Sequence, residues 1–540
     1  MNEKTIPQQL TVYDVVIIGG GGSALSCAIA AKTKGLKVII VSKSSITSSQ
    51  TAQAQGGINS VFGNTDDTVE SHISDTLKSA SGVGDHDAIS FMCKNGSNAI
   101  EWLDGLGVPF SRNDENGIAK RKLGGASYKR ACYSSDYTGL KILHTLYDTA
   151  IKLDIEIVEH CMLLDLIKKE NKVVGITYLD IKTTEVKYIL SSNTVLATGG
   201  YSGVYNGFTT NNKNTTGDGV VAGFRAGVEL ENMEFVQFHP TALKDKFILI
   251  SESARGEGGY LVDKDGNRFV DELLPRDIVA REIYKKIKNN EEVFLDLRHL
   301  GHEKVFHLLP QEYKLILQFT SLKMDEDLIP ITPAAHYTMG GLKCNKDSET
   351  SLNNLYAIGE VCSNGVHGAN RLGGNSLLEI IVFGKQLGDS LKAKNISADS
   401  CSDCVKEAIN KNKESINKLF IDHCEMNFYL FREKLGIVMF ENVGLFRSDK
   451  TLNIALEFIE YLENNMNNFG IEDKSTIFNT NLLELFEFKN MVICSKAIIL
   501  SALNRRESRG SHYREDFQSS VDTFEFKTII DNSFKIKMVK

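Results

Sequence analysis

The first 45 residues alternate between two kinds of apolar pattern. Residues 12–18, VYDVVII, form a β-branched run that stops at four consecutive glycines, which predicts a buried strand and a turn. SALSCAIAAKTKG then places small and apolar residues at helical spacing, and KVIIVSK is a second strand-like run. Strand, glycine turn, helix and strand within about thirty residues make a β-α-β unit. Two later apolar runs also end in glycine, TVLATGGYSG at 194–203 and LYAIGEV at 355–361. The second leads into GVHGANRLGGNSLLEIIVFG, a loop followed by a helix that begins near Ser376. These separated pieces predict one α/β, Rossmann-like domain that is discontinuous, with residues 1–239 and 346–404 on either side of an insert.

The insert, 240–345, reads as an α+β capping domain. VDKDGNRF is a hairpin with Asp-Gly at its turn, PRDIVAREIYKKI is a helix with Pro275 at its start, and LDLRHLGHEKVFHLLP mixes a strand with short helices. An inserted unit of this kind can close over a ligand and exclude water. From residue 405 the chain turns helical in period, in VKEAINKNKESINKLF, TLNIALEFIEYLENNMNNF and TNLLELFEFKNMVICSKAIILSALN. A C-terminal helical domain over 405–540 is expected, with RRESRGSHYRED at an active-site edge or an interface.

Size and charge narrow the function. At 540 residues and 42% hydrophobic, the chain can bury a large core in more than one domain. A net charge of -8 argues against a nucleic-acid partner. The opening residues MNEKTIPQQL are polar and hold no apolar signal region, and no apolar run reaches the ~18 residues of a membrane span. A cytoplasmic protein with no transmembrane segment is expected, able to dock on a membrane partner. The ten cysteines are scattered apart from Cys401 and Cys404. Two cysteines cannot supply four metal ligands, so no metal site is expected; the pair reads as a surface coincidence ahead of a redox pair.

The glycine turn carries the first chemistry. G-x-G-x-x-A falls on Gly19, Gly21 and Ala24: a tight turn, close approach of a pyrophosphate, and close helix–strand packing, with the helix N-terminus facing the phosphates. The second strand ends at Ser42-Lys43 where an acid for the ribose hydroxyls is usual, which weakens an NAD reading more than an FAD one.

With GGGGSA, TAQAQGG, HPT, ARGEGGYL, RDIVAR, HYTMGG, HGANRLGGNSLLE and RRESRGSHYRED, nearly the whole chain resembles the flavoprotein family of succinate dehydrogenase, fumarate reductase and L-aspartate oxidase. The resemblance implies FAD and hydride exchange between flavin N5 and a four-carbon dicarboxylate. It implies cofactor contacts at Gly19, Gly21, Ala24, Ser42, Lys43, Ser49, Thr51, Ala54, Gln55, Gly56, Gly57, Thr198, Gly199, Asp218, Glu360, Arg371, Ser376 and Leu377. Members that bind FAD covalently resemble SHTVAAQGG; here Gln50 stands at that histidine, and an amide cannot make the bond, so non-covalent FAD is expected. His239, His336 and Arg371 match carboxylate binders, with Ser251 and Glu252 beside them. Arg276 matches the family's proton donor, with Glu252 and Arg255 in a relay, and His239 joins the catalytic set.

Within the family the motifs divide. HPTAL, PAAHYTMGG, LLPRDIVAR and the absent flavin histidine resemble L-aspartate oxidase. KRKLGG and NRLGGNSLLE resemble the succinate and fumarate enzymes, since Leu123 cannot pair with a substrate ammonium as the oxidase glutamate does. Weighed together, the resemblance is nearest to L-aspartate oxidase, oxidising L-aspartate to iminoaspartate for NAD biosynthesis. The alternative is a fumarate reductase or succinate dehydrogenase flavoprotein subunit. The implied partners are a dicarboxylate; oxygen, fumarate or a quinone-linked acceptor; and quinolinate synthase or an iron–sulfur subunit.

Overall fold

The computed structural model describes residues 12–63, 66–395, 397–521 and 526–540. The polar opening segment, residues 1–10, lies outside the described residues.

Short β-branched strands build the central sheet because their side chains are buried on both faces, as a parallel sheet covered by other elements requires. Its order is Leu355–Ala357, Thr194–Leu196, Val15–Ile18, Val38–Ser42 and Glu156–Glu159, with every pair parallel. The strands come from three stretches of the chain, so the domain is discontinuous, as the glycine-terminated runs predict. The helices Gly22–Thr33 and Asn375–Ser390 pack together on one face. Glycine permits that approach: a Cβ on Gly388 would stand 2.4 Å from the Cys27 carbonyl oxygen. A second, four-stranded sheet joins Val12–Tyr13, Glu185–Ser191, Lys172–Asp180 and Cys161–Lys169.

The insert carries its own sheet, in the order Val236–Leu243, Ile329–Thr338, Val293–Asp296 and Tyr260–Asp263, all antiparallel. Leu261, Val279, Ile283, Leu295 and Ile316 form its separate core beneath the helices Arg276–Lys288 and Pro310–Thr320. The strand Val236–Leu243 runs across the border expected at 240, so cap and FAD-binding domain share an element at the point where the chemistry gathers. The DG turn is present: Gly266 has a φ of +83°, and Val262 bridges Arg268.

Four helices follow, Ser402–Asn417, Phe428–Val443, Asp449–Asn464 and Thr480–Asn504. The chain then departs from a purely helical end. Lys527–Ile530 and Ile536–Val539 form an antiparallel hairpin on Leu230–Glu231. The segment RRESRGSHYRED is buried support: Arg505 pairs with Glu234 at 2.6 Å and Glu507 at 2.9 Å, and Arg509 pairs with Glu507 at 2.8 Å. Removing one partner of such a pair leaves an uncompensated buried charge, at about 3–5 kcal/mol.

Candidate functional site

Where the glycine-terminated strands end, a cleft with a cavity volume of about 210 Å³ opens between the sheet and the cap. All the sequence-predicted site residues except Ala24 and Arg255 line it. Ala24 lies fully buried in the first helix, where its small side chain serves packing.

The cofactor half is made largely of backbone. Gly19 has a φ of +120°, and a Cβ there would meet the Ala197 carbonyl oxygen at 2.1 Å, so only glycine fits the turn. The helix that follows has Gly21 as its N-cap, with no side-chain cap bond, and presents its first N–H groups to the cleft. Thr51 Oγ1 accepts from Gly22 N at 3.0 Å. Thr198 Oγ1, Ser49 Oγ and Gln55 Oε1 are buried and have no partner within the protein. Orphaned polar atoms of this kind are costly unless a ligand meets them. Gly56, Gly57, Ala54, Gly199, Ser376 and Leu377 complete the lining, with the start of the helix Asn375–Ser390 at its edge. Two walls escaped the sequence reading. Asn212, Asn214 and Thr215 come from the polar stretch NNKNTTGDG; Cys161 and Leu163 come from a strand with no distinguishing signal.

Four expected cofactor ligands, Ser42, Lys43, Asp218 and Glu360, already bond within the protein. Lys43 Nζ donates to Asp218 at 2.6 Å, Glu487 at 2.7 Å, and Thr216 Oγ1 and the Asn214 carbonyl at 3.0 Å each. Ser42 Oγ donates to the Ser44 carbonyl at 2.7 Å. Glu360 accepts from Thr338 N at 2.8 Å, and burial pushes its carboxyl up to about 7. Gln50, opposite the flavin end of the cleft, is likewise engaged: Nε2 donates to Asn211 Oδ1 at 3.1 Å, and Oε1 accepts from Asn212 N at 3.0 Å. The turn, the helix N-terminus and the orphaned hydroxyls together fit FAD, and the position where a histidine would bond it holds an amide already bonded elsewhere.

The substrate half is made of charged side chains. Arg276, at the first turn of the cap helix Arg276–Lys288, donates through Nε to Glu252 Oε2 at 2.9 Å, and its Nη2 reaches the same oxygen. Glu252 also accepts from Gly124 N at 2.7 Å. Burial alone would raise the Glu252 carboxyl, but Arg276 and Arg255 outweigh it and hold the group below its usual range. Arg255 stands behind Glu252 at 4.0 Å, so the order is Arg276, Glu252, Arg255, leading away from the cleft. Burial lowers Arg255 to about 10 and Arg371 to about 9, both still cationic at neutral pH. Arg371 lies over the Tyr337 ring at 4.4 Å, and its Nε has no protein partner.

His239 and His336 have ring centroids 5.0 Å apart. The Thr241 backbone engages Nδ1 of His239, and Thr210 Oγ1 lies 2.7 Å from Nδ1 of His336, which leaves each Nε2 free to meet a ligand. Burial, then neighbouring positive groups, hold both imidazoles well below their usual range, so both are neutral at pH 7, and the tautomer in which Nδ1 accepts from Thr241 N or Thr210 Oγ1 puts the proton on Nε2. Ser251 Oγ accepts from Ser253 N at 3.0 Å at the start of a short helix. The apolar wall is Leu123, 1% exposed, whose Cδ1 lies 3.6 Å from where a Cβ on Gly56 would stand.

Comparison with known proteins agrees with this geometry. The FAD binding domain family matches residues 14–377, and the fumarate reductase flavoprotein C-terminal family matches 432–539. The chain is 37% identical to the 8-methylmenaquinol:fumarate reductase flavoprotein subunit of Wolinella succinogenes, over 93% of this chain and 86% of that one. It is 35% identical to the succinate dehydrogenase flavoprotein subunit of Rickettsia bellii, over 94% and 91%. The FrdA structure of E. coli quinol fumarate reductase superposes with a TM-score of 0.92 at 30% identity, covering 98% of this chain and 96% of that one. The cofactor is FAD, held non-covalently.

These matches overturn the L-aspartate oxidase reading and its place in NAD biosynthesis. The physical reason lies at Leu123: its methyl groups face the site, and the nearby carboxylate, Glu252, is occupied by Arg276, Arg255 and Gly124 N. A substrate ammonium has no counter-charge there. HPTAL and PAAHYTMGG, which suggested the oxidase, hold His239 and His336, whose rings meet in the cleft. Among the described residues, no helix is long and apolar enough to cross a membrane.

Proposed function

The chain belongs to the FAD-dependent succinate dehydrogenase/fumarate reductase flavoprotein family, oxidoreductases acting on a dicarboxylate; on that premise we propose that it interconverts fumarate and succinate, working as a fumarate reductase. The observation that carries this reading is the charge of the substrate half. Arg276 and Arg371 line the buried cleft beside Leu123, and the carboxylate nearest them, Glu252, is tied up between Arg276 and Arg255. A dianion with no ammonium group matches that field; an amino acid does not.

FAD, once reduced by two electrons, would supply the hydride for one alkene carbon of fumarate. The residues do the rest. Arg371 holds one carboxylate in a two-pronged grip, and Nε2 of His239 and of His336 donates to the dianion with Ser251. Arg276 gives its proton to the neighbouring carbon, so hydride and proton together convert fumarate to succinate. Arginine is a poor acid in water and acts here because it is held in place. Glu252 accepts two bonds from Arg276 and passes the replacement proton from Arg255. Gln50 supports the reductive direction, because a flavin without a covalent histidyl bond keeps a lower potential. We further propose that electrons arrive through a separate iron–sulfur subunit; the matched relatives are themselves named as subunits.

Purified, FAD-loaded chain with a reduced viologen dye should consume the dye's electrons when fumarate is added. No turnover with fumarate, nor with succinate and an oxidising dye, would defeat the reading. Copurification of a cysteine-rich iron–sulfur protein would support the partner, and a native enzyme isolated without one would remove it.

A further inference from the structure

Between Arg276 and Arg371 lies a buried amide that the scheme above leaves unused. Gln237 sits on the strand Val236–Leu243, at a register shift between Gln237 and Phe238. Such irregularities re-aim side chains beside active sites. Arg276 Nη1 donates to Gln237 Oε1 at 3.2 Å. Gln237 Nε2 donates to the Arg371 carbonyl oxygen at 2.8 Å and to Asn370 Oδ1 at 2.8 Å. The orientation is forced, because a guanidinium only donates and a peptide carbonyl only accepts.

The neighbouring amide extends the bridge. Asn370 Nδ2 donates to Asp277 Oδ1 at 2.9 Å, and Arg281 donates to the other Asp277 oxygen at 2.9 Å. Of the first two residues of the cap helix, Arg276 is held by the Gln237 amide, which also bonds residues 370 and 371, and Asp277 by the Asn370 amide, whose oxygen accepts from Gln237. A methionine would fill the volume of Gln237 without burying a polar group, so the amide contributes direction and not bulk.

We propose that Gln237 is a positioning residue for the fumarate–succinate reaction, setting the proton-delivering Arg276 of the cap at a fixed distance from the Arg371 clamp of the FAD-binding domain. The proposal rests on the roles given to those arginines above. One amide spans the domain border, so proton delivery and the carboxylate grip come into register together.

The test compares the full FAD-loaded chain with Gln237→Met and Gln237→Glu, in fumarate reduction by reduced viologen, in H2O and D2O, with malonate as a dicarboxylate that cannot react. Gln237→Met loses both sides of the bridge. Its kcat should fall ~10–100-fold, the loss of an oriented bond to a charged group. Its KM and malonate inhibition constant should rise, and its solvent isotope effect on kcat should grow as proton delivery becomes limiting. Gln237→Glu still accepts from Arg276 but cannot donate to residues 370 and 371. It should weaken malonate binding while lowering kcat less than Gln237→Met does. Wild-type-like kcat, KM and malonate inhibition in both variants would overturn the proposal. So would a loss of activity that merely follows lost FAD, with the isotope effect unchanged. A wild-type chain that turned over neither fumarate nor succinate would instead overturn the reading beneath it, and the proposal with it.

Discussion

The two halves of the cleft are built from opposite materials. The cofactor half is backbone, glycine and small hydroxyls, and it leaves Thr198 Oγ1, Ser49 Oγ and Gln55 Oε1 without protein partners. The substrate half is long charged side chains, most of them bonded to one another, as Arg276 with Glu252 and Gln237, Glu252 with Gly124, and Asn370 with Asp277, while Arg371 Nε is left open. A large, tightly held ligand can complete a surface that is unfinished without it. A substrate that must leave after every turnover needs a site that stands without it. The first half is therefore shaped by what it binds, and the second is organised before binding.

The contrast can be broken at its strongest point first. Arg276→Gln should lower turnover ~10²–10⁴-fold, the range for losing a positioned proton donor, while FAD stays bound. Kinetics with a flavin absorbance check would show this; near-normal turnover would take Arg276 out of proton transfer. Next is the frame behind the substrate half. Arg505→Met leaves Glu234 buried without its cation and Glu507 with Arg509 alone, and should cost ~3–5 kcal/mol in chemical denaturation. A change under ~1 kcal/mol, the usual scale of an exposed pair, would mean that water relieves the charge.

The border between the halves should respond to pH. Asp136 of the FAD-binding domain accepts from Gln311 N at 2.7 Å and Glu312 N at 2.9 Å, at the start of the cap helix Pro310–Thr320. Burial pushes its carboxyl up to about 6, against the effect of those N–H bonds. At Asp136 the folded state then binds more proton than the unfolded state between pH ~4 and ~6. The contribution of this group to stability is highest below that window, falls as pH rises through it, and levels off above, by up to ~3 kcal/mol. Asp136→Asn should flatten that slope in denaturation curves taken across the window; an unchanged slope would assign it to other groups. The smallest effect belongs to the cofactor half. Thr198→Val removes an orphaned hydroxyl, so stability without FAD should hold or rise while FAD affinity drops ~3–10-fold by titration. Equal losses with and without FAD would mean that the hydroxyl serves the fold.

The same contrast explains what could be read from the chain alone. The cofactor half was legible because its chemistry is local: Gly19 and Gly21, Gly56-Gly57 and Thr198-Gly199 sit in short runs whose conformation only small residues allow. The identity of the substrate half was legible motif by motif, through His239, Glu252, Arg276, His336 and Arg371. Its meaning was not, because it depends on contacts between distant segments. Leu123 was weighed as one departure among many resemblances, yet it is the wall that an ammonium would meet. Gln237 carries no signal in sequence, since its role exists only when residues 276 and 370 are brought to either side of it. Lys43 and RRESRGSHYRED were visible as charge, but the partners Asp218, Glu487 and Glu234 come from elsewhere. The closing hairpin was lost in a helical pattern because its strands find a partner only in Leu230–Glu231.

One measurement bears most directly on the substrate. FAD-loaded protein, kept free of oxygen, is mixed with succinate and separately with L-aspartate while the flavin absorbance is followed. The account expects succinate to bleach the flavin, fumarate to restore it, and L-aspartate to leave it unchanged. Bleaching by L-aspartate with no response to succinate would contradict it, and would require a group other than Leu123 to receive the ammonium.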